Sequence, residues 1–128
     1  AHGTTPECKQ LAIDLGFHSP AHAAGIVARG NIKEDYIDVP LRVYKAGDVA
    51  WSAAPFEMFD KTGKEIREAS PFPFTFSQGY TDANFYYLPT DESFEYGCYE
   101  VDTTRYKRGT AEMVRDKLIE MLKKIKDM

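Results

Sequence analysis

The stretch AGDVAWSAAPFEMF, residues 46–59, decides how the middle of the chain folds. It opens on a turn sequence, and β-branched and aromatic residues stand at near-alternate positions just before it, over residues 36–45. Two segments of this kind joined by a short loop that contains glycine predict a β-hairpin, with its second strand over 49–54. Pro40 cannot donate to a ladder, so the first strand is expected at a sheet edge or at a bulge.

The end of the same stretch predicts the clearest internal helix, over residues 55–69. Pro55 suits the first helical position, where its missing N–H removes no hydrogen bond. Pro71 ends the helix, because proline restrains the residue before it and cannot continue the helix. The predicted apolar face repeats at three- and four-residue spacing and consists of Phe56, Phe59, Gly63 and Ile66.

The beginning of the chain predicts two short helices. Thr5 and Ser19 each precede a proline, which is the pattern of an N-cap followed by the first helical residue. Gly16 can stop the first helix, and Gly25 weakens the prediction of the second. Residues 1–35 are therefore interpreted as a helical N-terminal segment.

The second half of the chain completes an α+β pattern. Strands are predicted over 74–78 and 84–88, and Thr90 can cap a brief helix after them. A long C-terminal helix is predicted over 110–126, with an apolar stripe that consists of Val114, Leu118, Met121, Leu122 and Ile125. Residues 1–128 are thus predicted to form a single compact α+β domain, in which helices pack on a mixed or mostly antiparallel sheet.

Composition limits the classes of function. The net charge of −4 and the pI of about 5.4 argue against nucleic-acid binding. No apolar run approaches the roughly 18 residues of a membrane-spanning helix, so no transmembrane segment is predicted. Cys8 and Cys98 could form a disulfide in an exported protein or remain buried thiols. The sequence starts with neither an initiator methionine nor a signal peptide, which indicates a processed or trimmed chain.

Tyrosines are concentrated in one part of the sequence. Six of the eight lie between Tyr80 and Tyr106. A tyrosine has a large apolar body and a polar tip, so such a cluster suits a half-wet core, a binding groove or a metal site. The simpler alternative is a tyrosine-rich strand pair at a sheet edge.

The motifs of common catalytic sites are absent from the sequence. His18 and His22 have the spacing of two metal ligands on one helical face, but Pro20 lies between them and is expected to begin a helix. His18 would then precede the helix and point elsewhere, which favours capping or surface histidines. No glycine-rich phosphate loop, nucleophile elbow or cysteine–histidine motif occurs. Taken alone, the residues give no complete catalytic set.

Glu57 is the carboxylate with the most unusual surroundings. The predicted helix start makes it an acid in the first turn, where free N–H groups and the helix dipole favour negative charge. However, its neighbours in sequence are apolar on both sides. A carboxylate among apolar residues at the end of a strand can also bind a metal or a substrate group.

Two blocks of the sequence resemble the neutral/alkaline non-lysosomal ceramidase family. The first is GDVAWSAAPFEMF at 47–59, followed by GKEIREASPF at 63–72. That family has a Gly-Asp strand, a Pro-Gly-Glu-Met/Phe-Phe junction and a helix that ends near Ala-Ser-Pro-Phe. The second block, YYLPTDESFEYGCYE at 86–100, resembles the family's Gly-Tyr-Leu-Pro-Thr segment with its trailing Gly-Gly-Tyr-Glu. The resemblance covers residues 36–126, with both blocks in the family's order.

The resemblance implies a specific chemistry. Enzymes of that family are zinc amidases that cleave the N-acyl bond of ceramide to give sphingosine and a fatty acid. By this similarity, Glu57 and Tyr87 would be zinc ligands and Tyr99 a catalytic residue, and the histidine ligands would come from an earlier part of the chain. Zinc is therefore expected only if the remainder of the polypeptide supplies those ligands. A lipid amide substrate, a role in sphingolipid metabolism and a secreted or periplasmic location are implied in the same way.

The sequence also departs from the family's pattern. Phe56 stands in place of the usual glycine beside Glu57, Tyr86 replaces a small residue, and residues 82–84 replace an Asn-x-Tyr motif. The upstream histidines and the active-site serine segment have no counterpart. We therefore predict a fragment or a reduced relative of a ceramidase-like zinc amidase, inactive as the isolated chain. The alternatives are a non-catalytic binding or structural domain that retains the scaffold, and an unrelated domain with an aromatic groove for glycans.

The resemblance leads to one geometric expectation. If the strand ending at 54 and the strand over 84–88 are parallel neighbours, or flank one common strand, Glu57 and Tyr87 emerge at the same sheet edge. Alternation would place Phe85 beneath Tyr87, with Tyr86 pointing away. Tyr99 is expected to return to the same neighbourhood after the brief helix.

Overall fold

The predicted hairpin forms around Gly47, whose φ of +58° is a left-handed conformation that glycine adopts without steric cost. The computed structural model describes residues 5–33 and 36–128 and is a single compact α+β domain. Its elements in chain order are α1 (Pro6–Asp14), α2 (Pro20–Gly30), β1 (Arg42–Ala46), β2 (Val49–Ala53), β3 (Glu57–Met58), α3 (Asp60–Ala69), β4 (Phe74–Gln78), β5 (Tyr87–Leu88), α4 (Ser93–Tyr96), α5 (Tyr99–Thr103) and α6 (Thr110–Lys126).

Three strands form a mixed sheet in the order β1-β2-β4. β1 and β2 are antiparallel, and β2 and β4 are parallel, with Trp51 opposite Tyr44 on one side and Phe76 on the other. The predicted second hairpin strand and β4 are confirmed. The first hairpin strand begins at Arg42, beyond Pro40 and later than the predicted residues 36–45. Proline has no N–H to pair with a neighbouring strand, so Pro40 lies outside the ladder.

The helix predicted over 55–69 is wrong in its first turn. α3 begins at Asp60, and the residues before it form β3 instead. The Glu57 N–H donates to the carbonyl of Tyr86 at 3.0 Å, so pairing with a segment distant in sequence replaces the local helix start. Glu57 is therefore a strand residue and not an acid of a first helical turn.

The main core lies between the three-stranded sheet and the two helices α3 and α6, which contact each other and the same face of the sheet. α6 has the predicted bounds, and the expected burial of Leu118 and Leu122 is confirmed, since both are fully buried. The sheet core consists of Ala50, Ala54, Phe56, Ile66, Phe72, Leu88, Ala111, Val114, Leu118 and Leu122.

The opposite face of this sheet is apolar and open. Tyr44, Phe74 and Phe76 are exposed there, each by half or more of its surface. The rings of Trp51 and Phe76 lie 6.1 Å apart and within 20° of parallel. The sheet thus has one face covered by helices and one aromatic face without a covering layer among the described residues.

The N-terminal helices begin as predicted. The Thr5 and Ser19 hydroxyls accept hydrogen bonds from backbone N–H groups three residues later, and a proline follows each of them. α2 crosses α5 at Gly25, where an added Cβ would lie 1.8 Å from the Asp102 carbonyl oxygen. Residues 1–4 and 34–35, which belong to the predicted N-terminal segment, lie outside the described residues.

The strand predicted over 84–88 is shorter than expected. Only β5 forms, because Tyr86 has a φ of +69° and the extended conformation is broken there. The brief helix after Thr90 is confirmed as α4, but its N-cap position falls on Glu92. Gly97, with a φ of +65°, ends it.

Two further points concern the chain as a whole. Cys8 and Cys98 are free thiols and each is half-buried, so the disulfide alternative does not describe this structure. Among the helices of the described ranges, none is long and apolar enough to cross a membrane.

Candidate functional site

Glu57 and Tyr87 are paired directly. β3 and β5 form a two-stranded parallel sheet in which Glu57 lies opposite Tyr87 and Met58 opposite Leu88. The Phe85 N–H donates to the carbonyl of Pro55 at 2.7 Å and extends the pairing by one step. The expectation that Glu57 and Tyr87 lie close together is confirmed for the backbone. The strand expected to bring them together is wrong, because β2 lies in the three-stranded sheet and Glu57 is itself part of β3, which pairs with β5.

Two phenols interact with the Glu57 carboxylate. A hydrogen bond to this carboxylate is the main reason that the pKa of Tyr80 rises to about 12, and burial and the carboxylate charge add to the effect. Burial is the main cause that raises the pKa of Tyr87 above its ordinary value, and the charge of Glu57 acts in the same direction. Both phenols therefore keep their protons at neutral pH in the protein without a metal.

Tyr99 completes the group. Its ring packs edge-on against the ring of Tyr87, with 5.8 Å between the ring centroids and 79° between the planes. Tyr99 is the first residue of α5, so the expected return of the chain to this neighbourhood is confirmed. We call Glu57, Tyr80, Tyr87 and Tyr99 the Glu57 cluster.

Side-chain hydrogen bonds to backbone carbonyls hold the segment around β5. The Thr104 hydroxyl donates to the carbonyl of Tyr87 at 2.9 Å, and the Tyr106 hydroxyl donates to the carbonyl of Phe85 at 2.7 Å. The Arg29 side chain donates to three carbonyls at the end of α5, those of Val101, Asp102 and Thr104. These contacts fix short irregular segments that have few ladder hydrogen bonds of their own.

The residues around Tyr87 pack differently from a regular strand. The Phe85 ring meets the buried Phe56 ring edge-on at 5.9 Å, whereas Tyr86 lies beneath the Arg105 guanidinium at 4.4 Å. Phe56, which stands where the resembled family has glycine, is fully buried in the sheet core. Its side chain therefore packs in the sheet core.

His18 and His22 lie against each other. His18 precedes α2 as expected, but its ring does not point elsewhere: it stacks on His22 with 4.7 Å between centroids. The Nδ1 atom of His22 accepts a hydrogen bond from the His18 N–H, and its Nε2 atom lies 4.0 Å from an Asp102 carboxylate oxygen. Within 5–33 and 36–128, no three His, Cys, Asp or Glu side chains converge on one point.

The Glu57 cluster fits one side of a zinc site. A carboxylate and phenol oxygens are hard donors that zinc accepts, but protein zinc sites use three or four ligands. Glu57 and Tyr87 make two, and the described residues hold no group of histidines, cysteines or carboxylates around them. A complete zinc site at this place needs ligands that come from elsewhere.

Tyr80 is the member of the cluster that the sequence patterns did not single out. It lies beyond the end of β4, in neither of the two motif blocks. Its signals are its place in the tyrosine-rich part of the sequence and the preceding Gly79, which permits a close approach of two backbones.

Solved ceramidase structures contain this fold. A ceramidase complexed with C2 matches with a TM-score of 0.64 and 23% sequence identity, covering 77% of this chain and 17% of that chain. Neutral ceramidase from Pseudomonas aeruginosa matches with a TM-score of 0.59 and 21% identity, covering 95% of this chain and 20% of that one. No protein-family model and no curated protein matches the sequence.

The chain therefore has a neutral ceramidase-like fold, as the two sequence blocks indicated. It spans about a fifth of the length of the ceramidases that it matches. At this level of identity the similarity defines the fold.

Proposed function

We propose that this chain is part of a ceramidase-like zinc amidase, either a fragment of the catalytic domain or a reduced relative of it. The intact enzyme would hydrolyse the N-acyl bond of ceramide-type lipids. The parallel pairing of Glu57 with Tyr87 carries this proposal, because it unites the two residues that the resemblance implies as metal ligands. They are 30 residues apart, in two different sequence blocks, and nothing in either block alone requires them to meet.

The residues of the Glu57 cluster have different proposed roles in metal binding and catalysis. Glu57 supplies carboxylate oxygens and Tyr87 a phenol oxygen for a metal, and the upstream remainder of the polypeptide supplies the other ligands. Tyr99, whose ring packs against that of Tyr87, would donate a hydrogen bond to the charge that develops on the amide carbonyl oxygen. Zinc, when bound, supplies polarisation of that carbonyl and an activated water.

The partners and location follow from the same proposal. A lipid amide is the substrate, the remainder of the polypeptide is the physical partner, and the protein acts in sphingolipid metabolism outside the cytoplasm. The isolated chain is inactive, because it brings too few metal ligands for a working zinc centre. Incubation with Zn²⁺ and an N-acyl sphingosine should give no hydrolysis above buffer, and clear turnover would contradict this part of the proposal.

The alternative is a non-catalytic binding or structural domain that retains the scaffold. The observation that favours it is the open aromatic face of the sheet, where Tyr44, Phe74 and Phe76 are exposed and the Trp51 and Phe76 rings are nearly parallel. Flat aromatic rows of this kind suit stacking against apolar or sugar surfaces. This face lies on the three-stranded sheet, whereas Glu57 and Tyr87 lie on the two-stranded one, so variants can separate the two functions.

Zinc binding distinguishes the two proposals. Zn²⁺ affinity of the 128-residue chain is measured by competition with a fluorescent chelator, for the wild type and for Glu57→Gln, Tyr87→Phe and the control Glu7→Gln. Glu7 is an exposed acid on α1, remote in sequence from the cluster. We expect weak binding that Glu57→Gln abolishes, that Tyr87→Phe weakens and that Glu7→Gln leaves unchanged. Equal Zn²⁺ affinities in all four proteins would contradict the metal-binding role of Glu57 and Tyr87 and would favour the non-catalytic domain.

A further inference from the structure

The chain bends at Tyr86, one residue before β5. Its φ is +69°, a left-handed value that residues other than glycine rarely adopt. Successive side chains of a regular strand alternate between two faces. Leu88 lies in the sheet core and Phe85 packs against that core, although an unbroken strand would place these two side chains on opposite faces. The bend therefore lets both contact the core, while Tyr87 lies beside Tyr99.

The same bend lies between two backbone hydrogen bonds that join the segment around β5 to β3. The carbonyl of Tyr86 accepts the Glu57 N–H at 3.0 Å, and the Phe85 N–H donates to the carbonyl of Pro55 at 2.7 Å. A different φ at Tyr86 would turn the peptide groups before and after it relative to each other. Both hydrogen bonds therefore depend on the left-handed conformation of Tyr86.

Asn84 supplies the local hydrogen bond that fits this conformation. Its side-chain oxygen Oδ1 accepts the Tyr86 N–H at 2.9 Å. Asparagine side chains bond the backbone two residues later in turns of this kind. On the side chain of Tyr86, the Arg105 guanidinium lies over the ring at 4.4 Å, a contact in which a cation is attracted to the ring face. The backbone and the ring of Tyr86 are thus each held by one polar side chain.

We propose that Asn84 is a positioning residue for the pair of Glu57 and Tyr87. By accepting the Tyr86 N–H, it stabilises the conformation in which the Tyr86 carbonyl bonds to Glu57. Asn84 acts through Tyr86 and is not itself a metal ligand. The functional meaning of this inference rests on the proposed role of Glu57 and Tyr87 in metal binding, whereas the structural link from Asn84 to Glu57 can be measured without a metal.

The first measurement is the hydrogen exchange rate of the Glu57 N–H by NMR, in wild type, Asn84→Ala, Asn84→Asp and the control Asn31→Ala. Asn31 is an exposed asparagine at the end of α2. Loss of the hydrogen bond in Asn84→Ala should speed this exchange about 2- to 10-fold. Asn84→Asp keeps an acceptor oxygen and should restore the wild-type rate, and Asn31→Ala should leave it unchanged.

The reference for global stability is the Ala54 N–H, which donates to the carbonyl of Gln78 at 3.1 Å beside the three-stranded sheet. Its exchange rate should be the same in all four proteins, because Asn84 acts locally. The proposal is overturned by a Glu57 rate that is unchanged in Asn84→Ala, that Asn84→Asp does not restore, or that rises together with the Ala54 rate.

The second measurement tests whether Asn84 acts through the conformation of Tyr86. Glycine adopts a positive φ without steric cost, so Tyr86→Gly permits the bend without the hydrogen bond from Asn84. In this background, Asn84→Ala should change the Glu57 exchange rate less than it does in wild type, which is the non-additivity expected of two coupled residues. An equal effect in both backgrounds would show that Asn84 does not act through Tyr86.

The third measurement connects Asn84 to the proposed metal site. Zn²⁺ affinity is compared in wild type, Asn84→Ala and Asn31→Ala by competition with a fluorescent chelator. If the bend relaxes in Asn84→Ala, binding must restore it, so we expect affinity to fall by about 2- to 10-fold, with no change in Asn31→Ala. Unchanged affinity in Asn84→Ala, together with its loss in Glu57→Gln, would contradict the positioning of the metal ligands. If the wild type binds no Zn²⁺, the proposed metal role fails, and the exchange rates still decide whether Asn84 positions Glu57.

Discussion

The sheet core and the Glu57 cluster are built in different ways. The sheet core joins regular helices to a regular sheet, and Leu118 and Leu122 are fully buried in it. The Glu57 cluster stands on two-residue strands and is flanked by left-handed residues, and its members Tyr80 and Tyr99 are 53% and 60% exposed. The difference indicates that stability comes mainly from the core, while the cluster determines where polar groups lie. The two regions join at Phe56 and Leu88, core residues that are the chain neighbours of Glu57 and Tyr87.

The largest effect is expected from Leu122→Ala. This side chain is fully buried on α6, so its truncation loses transfer free energy and leaves a cavity. We expect a loss of about 2–5 kcal/mol in the free energy of unfolding, measured by urea denaturation. Met113→Ala on the same helix is the control, because Met113 is 73% exposed and should change stability by less than about 0.5 kcal/mol. Equal effects of the two substitutions would mean that α6 does not pack as described.

Gly25→Ala tests the contact that positions α5, and with it Tyr99. The new methyl group would meet the Asp102 carbonyl oxygen at 1.8 Å, so α2 and α5 must move apart. Overpacking of this kind costs about 1–3 kcal/mol, more than the helix propensity that alanine gains. The Tyr99 ring signals in NMR spectra should shift, because the ring contact with Tyr87 depends on the place of α5.

Gly30→Ala is the matched control for that prediction. Gly30 also lies in α2, and nothing lies within 4 Å of an added Cβ there. Its stability should be equal to wild type or higher, by up to about 1 kcal/mol, and the Tyr99 signals should not move. If Gly25→Ala behaves like Gly30→Ala, the close crossing of α2 and α5 is wrong.

The fold could be predicted where local signals and tertiary packing agree. The apolar stripe of α6, the N-caps at Thr5 and Ser19 and the glycine turn of the hairpin each act within a few residues. Their structures match the predictions for that reason. The predicted start of α3 is wrong. Pro55 favours a helix locally, but the hydrogen bond from the Glu57 N–H to the Tyr86 carbonyl favours a strand.

The candidate site could be predicted only in part. The family-like motifs point to Glu57, Tyr87 and Tyr99, and the three residues do lie together. The short pair of β3 and β5 brings Glu57 to Tyr87, whereas the predicted strand over 49–54 belongs to another sheet. Tyr80 lacks a motif, and its place depends on a left-handed φ and on the close approach at Gly79. Such features arise from contacts between distant segments, which no periodicity in the sequence encodes.

Tyr106→Phe tests how the backbone beside the Glu57 cluster is held. The Tyr106 hydroxyl donates to the Phe85 carbonyl at 2.7 Å, and its ring meets Phe56 edge-on at 5.3 Å. Phenylalanine keeps the ring contact and removes the donor, so we expect a loss of about 0.5–1.5 kcal/mol in the free energy of unfolding. Tyr96→Phe, on a tyrosine that is 80% exposed, should have no effect. An unchanged free energy of unfolding in Tyr106→Phe would mean that water replaces the lost hydrogen bond.

The smallest effect is expected at the surface, from Arg108→Ala. Arg108 binds Asp91 in a bidentate pair, at 2.6 and 3.0 Å, and also contacts Glu95. Hydrogen bonding to Arg108 lowers the pKa of Asp91 below its ordinary value of 3.8. A lowered pKa in the folded state contributes stability above the unfolded pKa, and this contribution is lost as the pH falls through the folded value. Both groups are exposed, so the effect on the melting temperature should be smaller than any of those above.

The pH dependence of the melting temperature tests whether Arg108 acts through its ion pair with Asp91. The difference in melting temperature between wild type and Arg108→Ala should be largest near pH 7 and should shrink below pH 3.8, where Asp91 takes up a proton. Asp91→Asn should reduce that pH dependence without removing it, because Glu95 still contacts Arg108 in that variant. The gap between wild type and Arg108→Ala should also narrow in high salt, which screens exposed charges. A gap that stays constant from pH 7 to pH 2 would show that Arg108 acts through packing of its aliphatic stem and not through Asp91.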